Sequence, residues 1–482
     1  MDDVCVDNKM KVLLLAMPDT VNALDAVTRI PNLGLCSIAG NLDDCQVRIV
    51  DLVFRPRRIE SYLQSVVGDF APDVVGLSAM SYQYDSARRA ARVCRQVKPD
   101  VKIALGGYHA SLMYQELGSS AGAHPFDFLV RGEGEVTFNR LVQKISSGKK
   151  DFETIPGLSF RNGQQFQHNP AAPLLDLSKL RLPDRRARLL DRANFLGYSF
   201  DCLETSRGCS QGCRFCSIGE VYGRTFRAFA LERVIEDLKT LKAGGKKGAF
   251  FVDDNITLDV PRLKELCQRL VKEGLNSLSY TIQASVAGIA SDPELARSLK
   301  TAGVNWVFLG IENGIARNLN DMGKKGVLPN AQRAVSLLQE QGIGVFGGFI
   351  VANPGDTARD IATTFSFARK LGVDHPIIQC LTPYPKTETR EDLLKRGLVV
   401  NKDDFSLYNG FTCNVRTEHL DSGQINRAIF WSALRLYFHP LYLIRSRFWR
   451  FRASLVPALL LNNWRYLAGA LRGRIFVSSH SW

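Results

Sequence analysis

Two separate runs in which short apolar segments alternate with longer amphipathic ones constrain this chain more than any other feature. In the first run, residues 11–16, 47–52, 74–78, 102–106 and 128–131 read as strands, with helical patterns between them such as 85–98 and 136–146. Strand–helix alternation calls for a parallel sheet covered on both faces. An α/β, doubly wound (Rossmann-like) domain is therefore expected over 10–150. Such sheets bind ligands beyond the carboxyl ends of their strands. The residues expected there are Met17-Pro18, Ser78 to Tyr82, Gly106-Gly107-Tyr108-His109 and Gly132-Glu133-Gly134-Glu135.

From 151 to 200 the pattern lapses into turns, punctuated by Ile155-Pro156-Gly157 and Leu182-Pro183-Asp184, and reads as a connector. Alternation then resumes over 201–390, with strands expected at 202–205, 249–252, 279–283, 306–310, 344–350 and 375–381. Six strands, most followed by a helix, point to a partial β/α barrel with its chemistry at the carboxyl ends of the strands.

The remainder, 391–482, changes character: residues 422–482 hold nine Arg, no Asp, Glu or Lys, and four of the five Trp. An α-helical, basic and aromatic tail is expected, with the stretch 429–461 suited to an anionic membrane surface or, alternatively, to a cap packed on the barrel.

Composition narrows the class. Over 482 residues, 45% hydrophobic and 23% charged, with 39 Gly and 19 Pro, the chain is neither collagen-like nor bulk-disordered. Lys plus Arg exceed Asp plus Glu by 62 − 48 = 14, which favours anionic partners without choosing among them. Eleven cysteines are too sparse for a secreted disulfide framework. The acidic start, Met1-Asp2-Asp3, is unlike a targeting segment, and no run of about 18 apolar residues occurs. A cytoplasmic protein, with peripheral contact at the inner membrane face through its tail, is the expectation.

One cluster carries chemistry: Arg207-Gly208-Cys209-Ser210-Gln211-Gly212-Cys213-Arg214-Phe215-Cys216, directly after the first barrel strand. Three close thiolates suit a soft metal centre. Structural zinc or an ordinary electron-transfer cluster would take four ligands, and Cys202, the available fourth, lies within the expected strand. Three cysteines leave one iron of a [4Fe–4S] cluster open to substrate.

This loop, with Phe215 before the last cysteine, resembles the signature of radical S-adenosylmethionine enzymes. The resemblance implies that Cys209, Cys213 and Cys216 hold a [4Fe–4S] cluster whose open iron chelates S-adenosylmethionine. Reductive cleavage then yields methionine and a 5′-deoxyadenosyl radical. It further implies contacts to S-adenosylmethionine from Phe215, from Asp253 and Asp254 at the end of the second strand, from Gln283 and Ser285, and from Glu312 in Gly310-Ile311-Glu312-Asn313. A paired Asp after a strand equally suits a helix cap. A reducing partner such as flavodoxin or ferredoxin is implied as well.

The N-terminal half is similar to the cobalamin-binding domain that precedes the barrel in one branch of that superfamily. That similarity makes Leu33, Ser78, Gly106, Gly107, Tyr108, His109, Gly132 and Glu133 candidate cobalamin contacts. The Asp-x-His-x-x-Gly signature that places a histidine under cobalt elsewhere is absent: the histidines before the barrel are His109, His124 and His168. His109 reads as a wall residue of the site or as a structural loop histidine.

The expected chemistry is methylation of an unactivated carbon of a hydrophobic or secondary-metabolite small molecule. The alternative is radical cyclisation or rearrangement of a tetrapyrrole or hopanoid-type isoprenoid, since the chain also resembles those branch members. A tRNA-modifying role is the weaker reading, because no appended RNA module or Lys-rich arm is evident; no nucleic-acid partner is expected. No protein acid or base is assigned a catalytic part.

Overall fold

The computed structural model describes residues 9–19, 29–119, 124–195, 198–440, 442 and 482. The chain divides into two compact units, one built from Met1–Thr20, Pro31–Arg192 and Ser479–Trp482, the other from Val21–Ile30 and Ala193–Ser478.

In the first unit, β1 (Met10–Ala16), β2 (Cys45–Asp51), β3 (Val74–Ser78), β4 (Lys102–Gly106) and β5 (Phe128–Val130) form a parallel sheet in the order β2-β1-β3-β4-β5. Successive side chains of a strand point to opposite faces, and β1 shows the result. Leu13 and Leu15 join one buried cluster with Ile59, Leu63, Ala87 and Cys94 from the helices Ile59–Phe70 and Tyr84–Val97. Val12, Leu14 and Ala16 join the other, with Leu35, Ala39, Phe138 and Leu141 from the helices Leu33–Gly40 and Gly134–Ser146. Both faces are covered, so the strands are apolar throughout rather than alternating. The strand order reverses at β1, which makes the carboxyl edge between β1 and β3 the topological switch point. Ala16 pairs with Ser78, and Ser78 with Gly106, so the loops after β1, β3 and β4 leave from one edge.

The stretch 151–200, expected as a connector, differs. β6 (Leu158–Asn162) and β7 (Gln165–His168) form a hairpin added antiparallel to β5. Beyond it the chain runs back along this unit, with Asp184 N–H donating to the Cys36 carbonyl of the helix Leu33–Gly40 and Leu189 N–H to that of Ile49 in β2. The Pro-Gly punctuation that reads as a linker here brackets strands only four and five residues long.

The second unit opens with β8 (Asn194–Phe195) and β9 (Tyr198–Leu203), then a two-residue ribbon of β10 (Ser206–Arg207) and β11 (Arg227–Ala228). There follow β12 (Gly248–Phe251), β13 (Ser279–Ser285), β14 (Val304–Glu312), β15 (Gly344–Val351) and β16 (His375–Cys380). The order is β16-β15-β14-β13-β12-β9-β8, parallel from β9 to β16, with β8 antiparallel on the β9 edge. Helices Leu231–Ala243, Val260–Lys272, Pro293–Thr301, Val327–Glu340 and Ala358–Leu371 make the crossovers. The six parallel strands form an open, partial barrel.

Past β16, the helix Ser422–Tyr437 starts at a capping box in which Asp421 accepts from Gln424 N–H and Gln424 accepts from Asp421 N–H. Ile425 and Leu436 bury into a core with Ile350, Phe365 and Leu381. This part of the tail is therefore a cap on the barrel; residues 443–461 of the aromatic stretch lie outside the described residues. Among the described residues no helix is long and apolar enough to cross a membrane.

Candidate functional site

The cysteine loop leaves the carboxyl end of β9 under tight control. Asp253, just past β12 and 1% exposed, accepts hydrogen bonds from Thr205 N–H at 3.1 Å, Thr205 Oγ1 at 2.7 Å and Ser206 Oγ. Arg262 donates to the carbonyls of Thr205 and Phe229 at 3.1 and 2.7 Å. Arg207 makes a two-pronged pair with Glu204, at 2.8 and 2.7 Å. Gly208 follows with φ +84°, and a side chain there would stand 2.4 Å from the Thr225 carbonyl oxygen, so only glycine fits. The Gly208 N–H donates to Asp254 Oδ2 at 3.0 Å.

Beyond this anchor, Cys209, Cys213 and Cys216 line one pocket with Gln211, Ile218 and Arg224. Burial pushes the Cys216 thiol up to about 12 and raises Cys209 and Cys213 as well, the latter two against the pull of Lys324. Nucleophilic cysteines show the opposite shift, whereas a coordinated metal deprotonates such thiols outright. Among the described residues no group of three or more His, Cys, Asp or Glu side chains stands placed to hold a single ion. Cys202, the fourth-ligand alternative, is fully buried within β9. Three soft donors around one pocket, beside carboxylates, fit an iron–sulfur cluster with a chelated amino acid.

The other expected contacts separate. Asp254 faces the loop: burial raises its carboxyl to about 6, with the charges of Asp253 and Glu204 adding to the rise, and its own charge acts on Cys209 and Cys216. Asp253, expected beside it, is instead consumed by the β9–β10 turn, because consecutive residues leave a strand end in different directions. Gln283 Nε2 donates to the Asp253 carbonyl at 3.2 Å. Ser285 is a helix cap, accepting from Gly288 N–H at 3.1 Å and bonding Thr257 Oγ1 at 3.1 Å. Phe215 packs against the barrel's own apolar cluster, which includes Met322 and Cys380.

Glu312 ends β14 with φ +68°, where the register against β15 shifts, and pairs with Lys324 at 3.1 Å. Lys324 escaped the sequence reading: Gly323-Lys324-Lys325-Gly326 looks like a solvated turn. So did the exposed clasp in which Glu388 bridges Arg214 and Arg224 at 3.1 and 2.7 Å. Basic residues inside and after the cysteine loop were its only signal.

In the first unit, Ser78 and Gly106 end β3 and β4 on the shared edge, Gly107 follows as the cap, and Tyr108 opens the helix Tyr108–Leu112. Gly107 has φ +88° and crosses Ala79 so closely that a side chain would stand 2.7 Å from its carbonyl oxygen. Leu33 is buried at the start of its helix, which Asn32 caps by accepting from Leu35 N–H at 2.9 Å. Gly132, with φ +72°, donates its N–H to Ser111 Oγ, and the Glu133 carboxylate accepts from Leu175 N–H. His109 is 1% exposed and lies 4.2 Å from the Tyr84 ring; burial pushes its pKa down to about 3. Its ring is buried beneath the loop against Tyr84.

Fold and site together define a two-unit enzyme, a doubly wound α/β domain and a partial barrel with a three-thiol loop. Residues 203–368 match the family model of the Radical SAM superfamily, and residues 20–142 match that of the B12 binding domain. The chain thus carries a radical SAM domain in its barrel and a B12-binding domain ahead of it. Its cofactors are accordingly a [4Fe–4S] cluster, S-adenosylmethionine and cobalamin. It is 29% identical over 446 residues to an uncharacterized methyltransferase of Pyrococcus horikoshii, covering 91% of this chain and 95% of the relative. To the anaerobic magnesium-protoporphyrin IX monomethyl ester cyclase of Rubrivivax gelatinosus it is 26% identical, over 80% of this chain and 69% of that one. The fold is similar to the radical S-adenosylmethionine methyltransferase TsrM of Kitasatospora setae, with TM-score 0.67 and 20% identity, over 80% and 78% of the two chains.

Proposed function

We propose that the chain methylates an unactivated carbon of a small hydrophobic substrate. The observation that carries this reading is the conjunction, in one chain, of an intact three-thiol loop and a B12-binding domain. When bound, the cluster and S-adenosylmethionine supply a carbon-centred radical, and cobalamin supplies the methyl group. Cys209, Cys213 and Cys216 hold the cluster. Asp254, Gln283 and Glu312 present polar groups to S-adenosylmethionine from three strand ends, and Asp253, Ser285 and Phe215 keep those ends in place. Ser78, Gly106, Gly107, Tyr108, Gly132 and Glu133 form the cobalamin edge, with Leu33 and His109 supporting it. The work of these residues is to orient reactants and exclude water, which speeds reaction without a protein acid or base.

Likeness to the cyclase favours a second reading, radical ring closure on a tetrapyrrole. One experiment separates the two: anaerobic turnover with candidate hydrophobic substrates, quantifying 5′-deoxyadenosine and S-adenosylhomocysteine. Methyl transfer yields both. Ring closure yields 5′-deoxyadenosine alone, and neither product from cofactor-loaded enzyme rejects both readings.

Two further points belong to the same reading. A one-electron donor of the flavodoxin or ferredoxin kind reduces the cluster in the cytoplasm, where thiols stay reduced. The C-terminal region rests on an anionic membrane face, supported by one exposed face of the helix Ser422–Tyr437 and its end, where Arg427, Trp431, Arg435 and Phe438 follow one another at helical spacing.

A further inference from the structure

Lys324 stands in a turn pressed onto the cysteine loop. Its own N–H donates to the Leu319 carbonyl at 2.7 Å. Gly323, at φ +75°, lies so close to the Gly212 carbonyl oxygen that a side chain would stand 2.7 Å from it, and Arg214 N–H donates to the Met322 carbonyl at 3.1 Å. The turn therefore grips the loop on both sides of Cys213. The Lys324 side chain is only 14% exposed, and its partner, Glu312, 12%.

Burying an ammonium is expensive unless negative charge is fixed around it. Glu312 supplies one such charge, held by a left-handed backbone that a glutamate adopts only at a cost. The turn sets the ammonium beside the loop that carries Cys209 and Cys213, whose thiolates would add negative charge there once they hold the cluster.

We propose that Lys324 is a charge-balancing residue of the cysteine centre, raising the potential at which the centre accepts its electron, and that the Glu312 charge partly offsets it. The proposal rests on the iron–sulfur reading above. The step it governs is transfer of one electron from an external one-electron reductant to the cluster, with no bond made or broken. A fixed cation close by stabilises the more negative, reduced form.

The test is an anaerobic redox titration, followed by electron paramagnetic resonance, of the reconstituted full chain, with iron counted for each variant. Lys324→Met should shift the midpoint potential downward, and Glu312→Gln should shift it upward. Lys324→Arg should restore the wild-type value. Opposite signs are the signature of charge; a packing role moves neither variant, or moves both in one direction, and either result overturns the proposal. If Lys324→Met fails to hold iron, Glu312→Gln decides alone, an unmoved or lowered potential counting against it. Failure of the unaltered chain to assemble iron would instead remove the cluster reading, and the proposal with it.

Discussion

Asp253 and Asp254 are chemically identical neighbours with opposite duties. Asp253 takes its hydrogen bonds from the β9–β10 turn, and Asp254 anchors Gly208 while facing the thiols. Asp253→Ala leaves several buried donors unmet, so it should destabilise the barrel by roughly 3–5 kcal/mol. Asp254→Asn keeps an acceptor for Gly208, so it should preserve stability while weakening S-adenosylmethionine binding by about tenfold, the loss of one charge-assisted hydrogen bond. Denaturant melts and equilibrium dialysis read the two effects separately; equal destabilisation by both changes would contradict the division of labour. The sequence marks the pair, but not which member turns inward, because that depends on the path of β10. Lys324 was illegible for a similar reason: flanking glycines mimic a solvated turn, and only the fold brings it to Cys213. The three cysteines were legible at once, their spacing and position after a strand needing no tertiary information.

Among the elements, long apolar strands were readable and short ones were not. β1, β3 and β4 announce themselves by buried runs such as Val12 to Ala16. β7 offers one buried side chain in four residues, Phe166, too little for a period. The helix Ser422–Tyr437 shows the two-sidedness of an interfacial element, with Ile425 and Leu436 buried against Trp431 at 55% and Phe438 at 60% exposure. If this face meets lipid, the intact chain should co-sediment with vesicles rich in anionic lipid and not with zwitterionic ones. A Trp431→Gln, Phe438→Ser double variant should bind several-fold less, since apolar burial and charge both contribute. Binding unchanged by the substitutions would assign the contact elsewhere.

At the scale of the molecule, pH couples to stability through histidines buried in neutral form. His109 is pushed from 6.5 down to about 3 by burial, and His375 from 6.5 to about 4. The unfolded chain thus takes up these protons before the folded one does. The stabilisation is complete above the unfolded value of about 6.5 and drains away as pH falls toward the folded values. Between roughly pH 7.5 and 5, the denaturant midpoint of β3 and β4, followed by hydrogen exchange, should fall, and His109→Gln should flatten that fall. An unaltered slope would place the pH dependence in other groups.

The barrel sheet ends without closing, yet neither border is bare. β8 pairs along β9, and at the far border the Cys380 N–H donates to the Gly410 carbonyl at 2.8 Å. A row of open backbone groups is what lets one sheet recruit another. With one border ending on a two-residue strand and the other met at its last residue by an irregular segment, each border offers a second chain only a short template. Concentrated protein should therefore resist strand-to-strand polymerisation through this domain, even though its architecture stops short of a ring.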